Sequence, residues 1–346
     1  CSKLNLHFMK KFINWGFVGL GNASSNLARE FKKLDNSNLL AVASHQKEKR
    51  IFYKEKFNLE NKNVFSNYED IFKNPNIDII YIGLPNSFHE EYCSKALKYN
   101  KNILVEKPIT KNITYLKQLK KKFLEKKLLL EEGTANKFHP FYHQALKEIK
   151  SIDFSKITKI ESSFGNDALG GKKLFGYRLK KINHEKRLFS KKLDGGSILD
   201  SGIYPISFLI DILYLFQNNL INNFILNDCK KKKSNDVDIE SSINMTLNKI
   251  KIQFQTSLIN KLKNNFEIHT DNEKITFENI FTIDASSAVT YAKDHSKNIF
   301  NKNKENVYFY EINEISNYLI NQNYKPFNSL NKLEDKIELL SSWFNY

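Results

Sequence analysis

The stretch INWGFVGLGNASSNLARE, residues 13–30, reads as a buried strand, a glycine turn and the start of a helix. Gly19 permits a tight turn, and Gly21 lets the backbone approach a pyrophosphate at the N-terminus of a helix that opens with Asn22 and Ala23. The third glycine position of the dinucleotide fingerprint holds Ser24, so the match is incomplete. A lone G-x-G carries little by itself; the strand, turn and helix around it are the context the motif requires.

Working outward, short apolar runs alternate with amphipathic ones as far as about Asn136. INWGFVG, NLLAVAS, IDIIYIGL, NILVEK and LLLEEGT are candidate strands, and ASSNLAREFKKL, KEKRIFYKEKF, SFHEEYCSKALKY and TYLKQLKKKF candidate helices. Nearly continuous apolar strands imply burial on both faces, hence a doubly wound parallel sheet of the Rossmann type. After Pro140 the texture changes: ITKIESSFG, INNFILND, SSINMTLN, KIKIQFQTS, NNFEIHT and EKITFEN alternate polar and apolar residues, interrupted by the apolar helix GSILDSGIYPISFLIDILYLF. These predict an open, mainly antiparallel sheet with one face covered. The α/β chain therefore divides into a nucleotide-binding domain over 12–137 and a substrate-binding and oligomerisation domain over 138–346.

The end of the second strand bears on which nucleotide binds. Where an NAD site usually places Asp or Glu, this chain has Ala43, Ser44 and His45, followed by Lys47, Lys49 and Arg50. A carboxylate would repel a 2′-phosphate, whereas a hydroxyl beside cations can hold one. NADP(H) is expected over NAD(H), which remains possible.

A formal charge of +16, from 54 Lys and Arg against 38 Asp and Glu, would alone invite a nucleic-acid reading. The lysines are spread along the chain, however, in a background rich in Asn, Ile and Phe, so no nucleic-acid partner is expected. Lys120 to Lys122, with Lys126 and Lys127, read as the solvated face of a helix; Lys230 to Lys233 read as a loop. Cys1, Cys93 and Cys229 have no paired spacing, which fits a reducing cytoplasm without a disulfide framework or zinc site. No apolar run approaches membrane-spanning length, so no membrane partner is expected, and the first residues read as a ragged leader before Phe12.

The remaining motifs fall at candidate strand ends or helix starts, in a definite order: GLPNSFH at 83–89, VEKP at 105–108, EEGTANKFHP at 131–140 and DGGSILDSGIYP at 194–205. With the glycine turn, they make the chain resemble the glucose-fructose oxidoreductase and inositol dehydrogenase family of NAD(P)-dependent oxidoreductases. Within it, the dihydrodiol dehydrogenase and NADP-dependent xylose dehydrogenase branch is most similar.

The resemblance implies that Lys107 lies near the nicotinamide and substrate, with Asp200 and Tyr204 as the second catalytic element. Hydride transfer at carbon requires a proton to move at the adjacent oxygen. Tyr204 suits that task if Lys107 lowers its pKa toward phenolate, and a partly desolvated Lys107 could itself lose its charge. Asp200, four residues before Tyr204, would share its helix face and orient Lys107 or bind a substrate hydroxyl. Leu84, Pro85 and Asn86 would line the nicotinamide-ribose side. His89 is either a further cofactor contact or a structural cap, and Glu106 fixes Lys107 or the nicotinamide end.

Asn136 and Lys137 replace residues usual in this branch beside the sugar pocket, which leaves the sugar-like small-molecule substrate open. Residues 170–189 read as a mobile loop whose Arg178 and Arg187 either meet an anionic substrate or, the preferred reading, carry solvated charge, and the histidines, including His139, His143 and His184, show no metal-like clustering, so no metal is expected. The resemblance implies a homodimer or homotetramer formed through the open sheet. A catalytically silent nucleotide-binding sensor of the same fold is the alternative.

Overall fold

Alternating apolar strands and crossover helices pair here as a right-handed α/β wind requires. The computed structural model describes residues 12–170, 173–174, 177–178, 181–216, 223–282, 290–293, 296–299, 305–321 and 330–346. The expected leader before Phe12 lies outside them. Strands β1 (Ile13–Val18), β2 (Ser37–Ala43), β3 (Val64–Phe65), β4 (Ile79–Ile82), β5 (Asn102–Glu106) and β6 (Leu130–Gly133) form a parallel sheet in the order β3-β2-β1-β4-β5-β6. β4 is buried at all four residues, as a strand covered on both faces must be. The two-residue β3 is absent from the five expected strands, being too short to show a pattern. Helices α1 (Asn22–Glu30), α2 (Lys47–Phe57), α3 (Tyr68–Lys73), α4 (His89–Lys98) and α5 (Ile113–Glu125) alternate with the strands. The strand order reverses between β1 and β4, so their carboxyl ends open a crevice there.

Helix α6 (Pro140–Lys150) leads to the second sheet. Its strands are β7 (Ile157–Gly165), β10 (Phe224–Ser234), β11 (Val237–Leu247), β12 (Ile250–Ser257), β13 (Asn265–Thr270), β14 (Lys274–Glu278), β15 (Thr290–Lys293) and β16 (Ser296–Ile299); β8 (Lys173–Leu174) and β9 (Tyr177–Arg178) pair separately. The order is β10-β11-β12-β7-β13-β14-β15-β16, antiparallel except where β12 meets β7. Along β12, Ile250, Ile252 and Phe254 turn inward while Lys251, Gln253 and Gln255 face out.

Two expectations need correction. Lys230 to Lys233 lie in β10, not in a loop. They read as a polar break because β10 is an edge strand, where lysines block pairing with another sheet. The helical run Lys191–Phe216 is also long and apolar enough to pass as a membrane span, yet 78% of its most apolar window is buried inside the protein. Its regular part, α7 (Ile203–Phe216), is a core helix, with Phe208 packed edge-to-face on Tyr142 and Phe266 at 5.0 and 4.8 Å. Burial of one such side chain contributes about 1.5–3 kcal/mol.

The last helices, α8 (Val307–Ile320) and α9 (Leu330–Asn345), return to the first sheet. Trp15 Nε1 in β1 donates to Ser316 Oγ in α8 at 3.1 Å, and Lys120 in α5 pairs with Glu334 in α9 at 2.9 Å.

Candidate active site

The glycine turn is dictated by close contacts. Gly19 has φ +84°, and a Cβ there would lie 2.7 Å from the Gly83 carbonyl oxygen, so only glycine fits. Ser24 in the third glycine position donates from Oγ to the Gly19 carbonyl at 2.8 Å. The close approach that a third glycine would allow is provided across the cleft by Gly83, where a Cβ would sit 2.4 Å from Ser24 Oγ. At Gly21 the nearest protein atom to a Cβ would be 4.0 Å away, and Gly21 lines a cleft of about 450 Å³. The protein's own packing does not require glycine at that position, which leaves the backbone open to a group in the cleft. Helix α1 begins there without a side-chain cap, so its first N–H groups suit a phosphate. The turn therefore fits a dinucleotide.

Asn22, Ala23, Leu84, Pro85 and Asn86 line the same cleft, as expected, and so do Glu106 and Lys107. At the end of β2, Ser44 and Lys49 line it, joined by Gln46 and Tyr68. His45 does not: its ring packs on Tyr68 at 4.1 Å, and Nδ1 lies 3.0 Å from the Ser66 carbonyl. His89 is likewise not a cleft residue. It is fully buried, with ring nitrogens 2.7 Å from the Pro108 carbonyl and 2.9 Å from the Leu84 carbonyl. Nor does it cap α4, whose N-cap is Phe88 without a side-chain cap hydrogen bond; its ring joins two strand-end turns.

Lys107 follows β5 and crosses to the second half of the chain. Its Nζ donates to the Asp200 carbonyl at 2.6 Å and to Asp200 Oδ1 at 3.3 Å, and lies 4.8 Å from the centre of the Tyr204 ring. Asp200 sits in a π-helical turn, Ile198–Gly202, and Tyr204 in the first turn of α7. The expected regular helix is thus interrupted, a feature common at functional sites, yet both side chains meet Lys107. Glu106 Oε1 accepts from Tyr81 at 2.7 Å, and the Lys107–Pro108 peptide is cis. Arg187, expected to carry solvated charge, is 44% exposed and also donates to Asp200 Oδ1 at 3.0 Å. The Arg178 side chain lies outside the described residues.

A second cavity of about 350 Å³ adjoins the cleft, with Lys107, Arg187, Asp200 and Tyr204 on its wall. Phe164, edge-to-face on Tyr204 at 5.2 Å, faces it together with Phe281 and Tyr308. Asn26, Asn166 and Asn264 add amides. Gly133 and Ala135 border it in place of Asn136 and Lys137, which are buried; Lys137 pairs with Asp211 at 2.9 Å.

Comparison with known proteins agrees with this arrangement. Residues 13–134 match the oxidoreductase family with an NAD-binding Rossmann fold. That match covers the first sheet and the helices between its strands. Trans-1,2-dihydrobenzene-1,2-diol dehydrogenase of Xenopus tropicalis is 27% identical over 199 residues, 56% of this chain and 55% of that protein. The NADP+-dependent D-xylose 1-dehydrogenase of Hypocrea jecorina is 25% identical over 215 residues, 59% of this chain and 54% of that protein. The match thus spans about half the length of these curated relatives. A 3-ketoreductase from Actinomadura kijaniata, solved with NADP and TDP-benzene, superposes with a TM-score of 0.81 at 18% identity, covering 96% of this chain and 97% of that one. At that identity the likeness concerns the fold.

Around Lys107 the charges settle in definite states. Burial works to lower the Lys107 pKa, but Asp200 and Tyr204 outweigh it and hold it above the usual lysine value. Lys107 therefore keeps its charge, contrary to the expectation that it could lose it. Burial pushes Asp200 up, but Lys107 and Arg187 hold its carboxyl below the ordinary value. For Tyr204 burial wins: its pKa is raised despite the nearby Lys107, so it is a phenol and not a phenolate at neutral pH. Phe164, Asn166, Asn264, Phe281 and Tyr308 were not foreseen, because each comes from a separate segment with no motif of its own.

Proposed function

We propose that the chain is an NADP(H)-dependent oxidoreductase that interconverts a hydroxyl and a carbonyl on a sugar, sugar derivative or cyclic diol. The observation carrying this reading is the meeting of Lys107, Asp200 and Tyr204 where the cleft and the second cavity join. NADP(H), when bound, supplies or accepts the hydride. Gly19, Gly21, Asn22 and Ala23 would hold its pyrophosphate, Ser44 and Lys49 the 2′-phosphate, and Leu84, Pro85, Asn86 and Glu106 the nicotinamide end.

Tyr204, a phenol at neutral pH, donates a proton to the carbonyl oxygen in reduction and takes it back in oxidation. Lys107 stays cationic, so it stabilises negative charge on that oxygen and eases the passage through phenolate. Asp200, ionised, holds the Lys107 ammonium in place and shares its Oδ1 with Arg187. The aromatic and amide walls suit a ring that carries several hydroxyls. The relatives' names, a diol dehydrogenase and a xylose dehydrogenase, support this substrate class. A division into two domains near residue 137, cytoplasmic residence and a homodimer or homotetramer belong to the same proposal.

Fluorescence titration with NADPH and NADH, followed by turnover on aldoses, ketoses, inositols and diols, tests it. Tighter NADPH binding with turnover on one member is the expected result. Equal or better turnover with NADH would remove the NADP preference, and failure to bind either nucleotide would overturn the whole reading.

A further inference from the structure

The second peptide unit after Lys107, Pro108–Ile109, is gripped at both of its polar atoms by buried ionisable side chains. Its carbonyl oxygen lies 2.7 Å from His89 Nδ1, and its N–H donates to Glu132 Oε2 at 2.9 Å. The second His89 nitrogen lies 2.9 Å from the Leu84 carbonyl, in the turn that ends β4. Glu132 Oε1 accepts from Thr134 Oγ1 at 2.9 Å and is ion-paired with Lys336 of α9. His89, Glu132 and Lys336 are at most 2% exposed, and none of them lines the cleft or the adjoining cavity.

Three elements distant in sequence thus converge on one peptide group: α4 through His89, β6 through Glu132 and α9 through Lys336. Burying an ion pair costs desolvation that its own attraction often only offsets, so such a pair is a poor device for stability alone. What it does here is fix an orientation. The Lys107 ammonium must reach across to the Asp200 carbonyl at 2.6 Å, and that reach starts from a Cα joined to the gripped peptide through one residue, Pro108, whose ring fixes φ. A tilt of that peptide swings the far end of a four-methylene side chain, and a displacement near 1 Å at a reacting group can cost about a hundredfold in rate.

We infer that His89 and the Glu132–Lys336 pair are positioning residues for Lys107, holding the Pro108–Ile109 peptide so that Lys107 meets Asp200 and Tyr204. The inference rests on the reading of Lys107 as part of an oxidoreductase site.

Three variants of the full chain test it. His89→Leu removes both ring contacts, and His89→Gln keeps a side-chain N–H for the Pro108 carbonyl. Glu132→Gln with Lys336→Met removes both charges together, leaving no lone buried charge. Two readouts are taken: kcat, KM and NADPH affinity on whichever substrate the panel yields, and the rate of Lys107 acylation in nucleotide-free protein, read by mass spectrometry. His89→Leu should lower kcat at least about tenfold while KM and NADPH affinity stay within about threefold. The same variant should raise Lys107 acylation at least about threefold, and His89→Gln should bring both quantities back to within about twofold of wild type. The double variant should show the same split. If melting curves show that His89→Leu does not fold, His89→Gln and the double variant decide.

Unchanged kcat and unchanged acylation in the folded variants would overturn the inference. A uniform loss would overturn it too, with NADPH affinity falling in step and His89→Gln as impaired as His89→Leu, since general damage does the same. Failure of the oxidoreductase reading is visible separately, as a wild-type protein without turnover, and Lys107 acylation then decides the positioning role alone.

Discussion

Two polar hollows lie on opposite faces of the second sheet. The outer one, about 430 Å³, is lined by Glu161, Ser163, Gln253, Gln255, Glu267 and Lys274; the inner one, about 350 Å³, holds Lys107, Asp200 and Tyr204. Two acids of the outer one also gather charge: Glu161 and Glu267 meet His269, whose Nε2 is 3.1 Å from Glu161 and 3.5 Å from Glu267, with ligand atoms of the three residues all within 4.8 Å of one another. The difference is in how the charges are held. Outside, Lys159 pairs with Glu161 at 2.7 Å and Lys274 with Glu267 at 2.6 Å, through lysines 35% and 52% exposed whose charge is screened by salt. Inside, Lys107 and Asp200 are 11% and 21% exposed, and each shifts the other's protonation. Volume therefore does not mark the site; confined opposite charges beside a phenol do.

The sharpest way to break this comparison is to remove the inner groups singly. Tyr204→Phe should lower kcat by about a hundredfold or more, the amount expected of a lost general acid, while NADPH affinity stays near wild type. Lys107→Met should act as strongly on kcat. Unchanged turnover in Tyr204→Phe would return Tyr204 to the role of an aromatic wall against Phe164.

Much of this geometry was legible in the sequence because it depends on local rules. A glycine with positive φ at Gly19, an apolar strand before it and a helix after it leave few folds open, and the E-K-P tripeptide at a strand end already faces the crevice. Other parts depend on tertiary contacts. Ser24 looked like a defect until Gly83 was seen to give the close approach from the other side. His45 was expected as a cofactor contact and His89 as a contact or a structural cap; neither lines the cleft that their neighbours Ser44 and Asn86 line, because nearby positions in a turn point in different directions. Arg187 is exposed, but its contact with Asp200 was not legible, because the two are 13 residues apart across an irregular segment. Lysines in an edge strand imitate a loop, and the Tyr204 pKa turns on burial, which no local pattern reports.

A smaller effect should separate the two nucleotides. Lys49 lines the cleft beside Ser44 at the end of β2, where the 2′-phosphate of NADPH would lie. Lys49→Met should weaken NADPH by about tenfold, the scale of one lost charge-assisted hydrogen bond, and leave NADH nearly unchanged. Equal losses for both nucleotides in the fluorescence titration would move the phosphate site elsewhere.

The inner charges also predict how stability depends on pH. Asp200 has a depressed folded pKa, so its contribution is present above the unfolded carboxylate value, about 3.9, and is lost as the pH falls through the folded value. Asp200→Asn should therefore melt lower than wild type at neutral pH, with the gap closing as the medium is taken below about pH 4. A gap that persists undiminished in strong acid would mean that the carboxylate's charge is not what holds Lys107 and Arg187.

The least effect is expected outside. Glu267→Gln with Lys274→Met removes a contact whose lysine is 52% exposed, so stability should change by no more than about 0.5 kcal/mol. Turnover and KM should match wild type, because that face shares no residue with the inner cavity. Sedimentation of the same double variant bears on assembly. A shift toward smaller species would place this face between copies of the chain and give its polar lining a purpose that catalysis does not. A loss of turnover without such a shift would mean the sheet carries strain through to Phe164, and the two hollows would then have to be treated as one site.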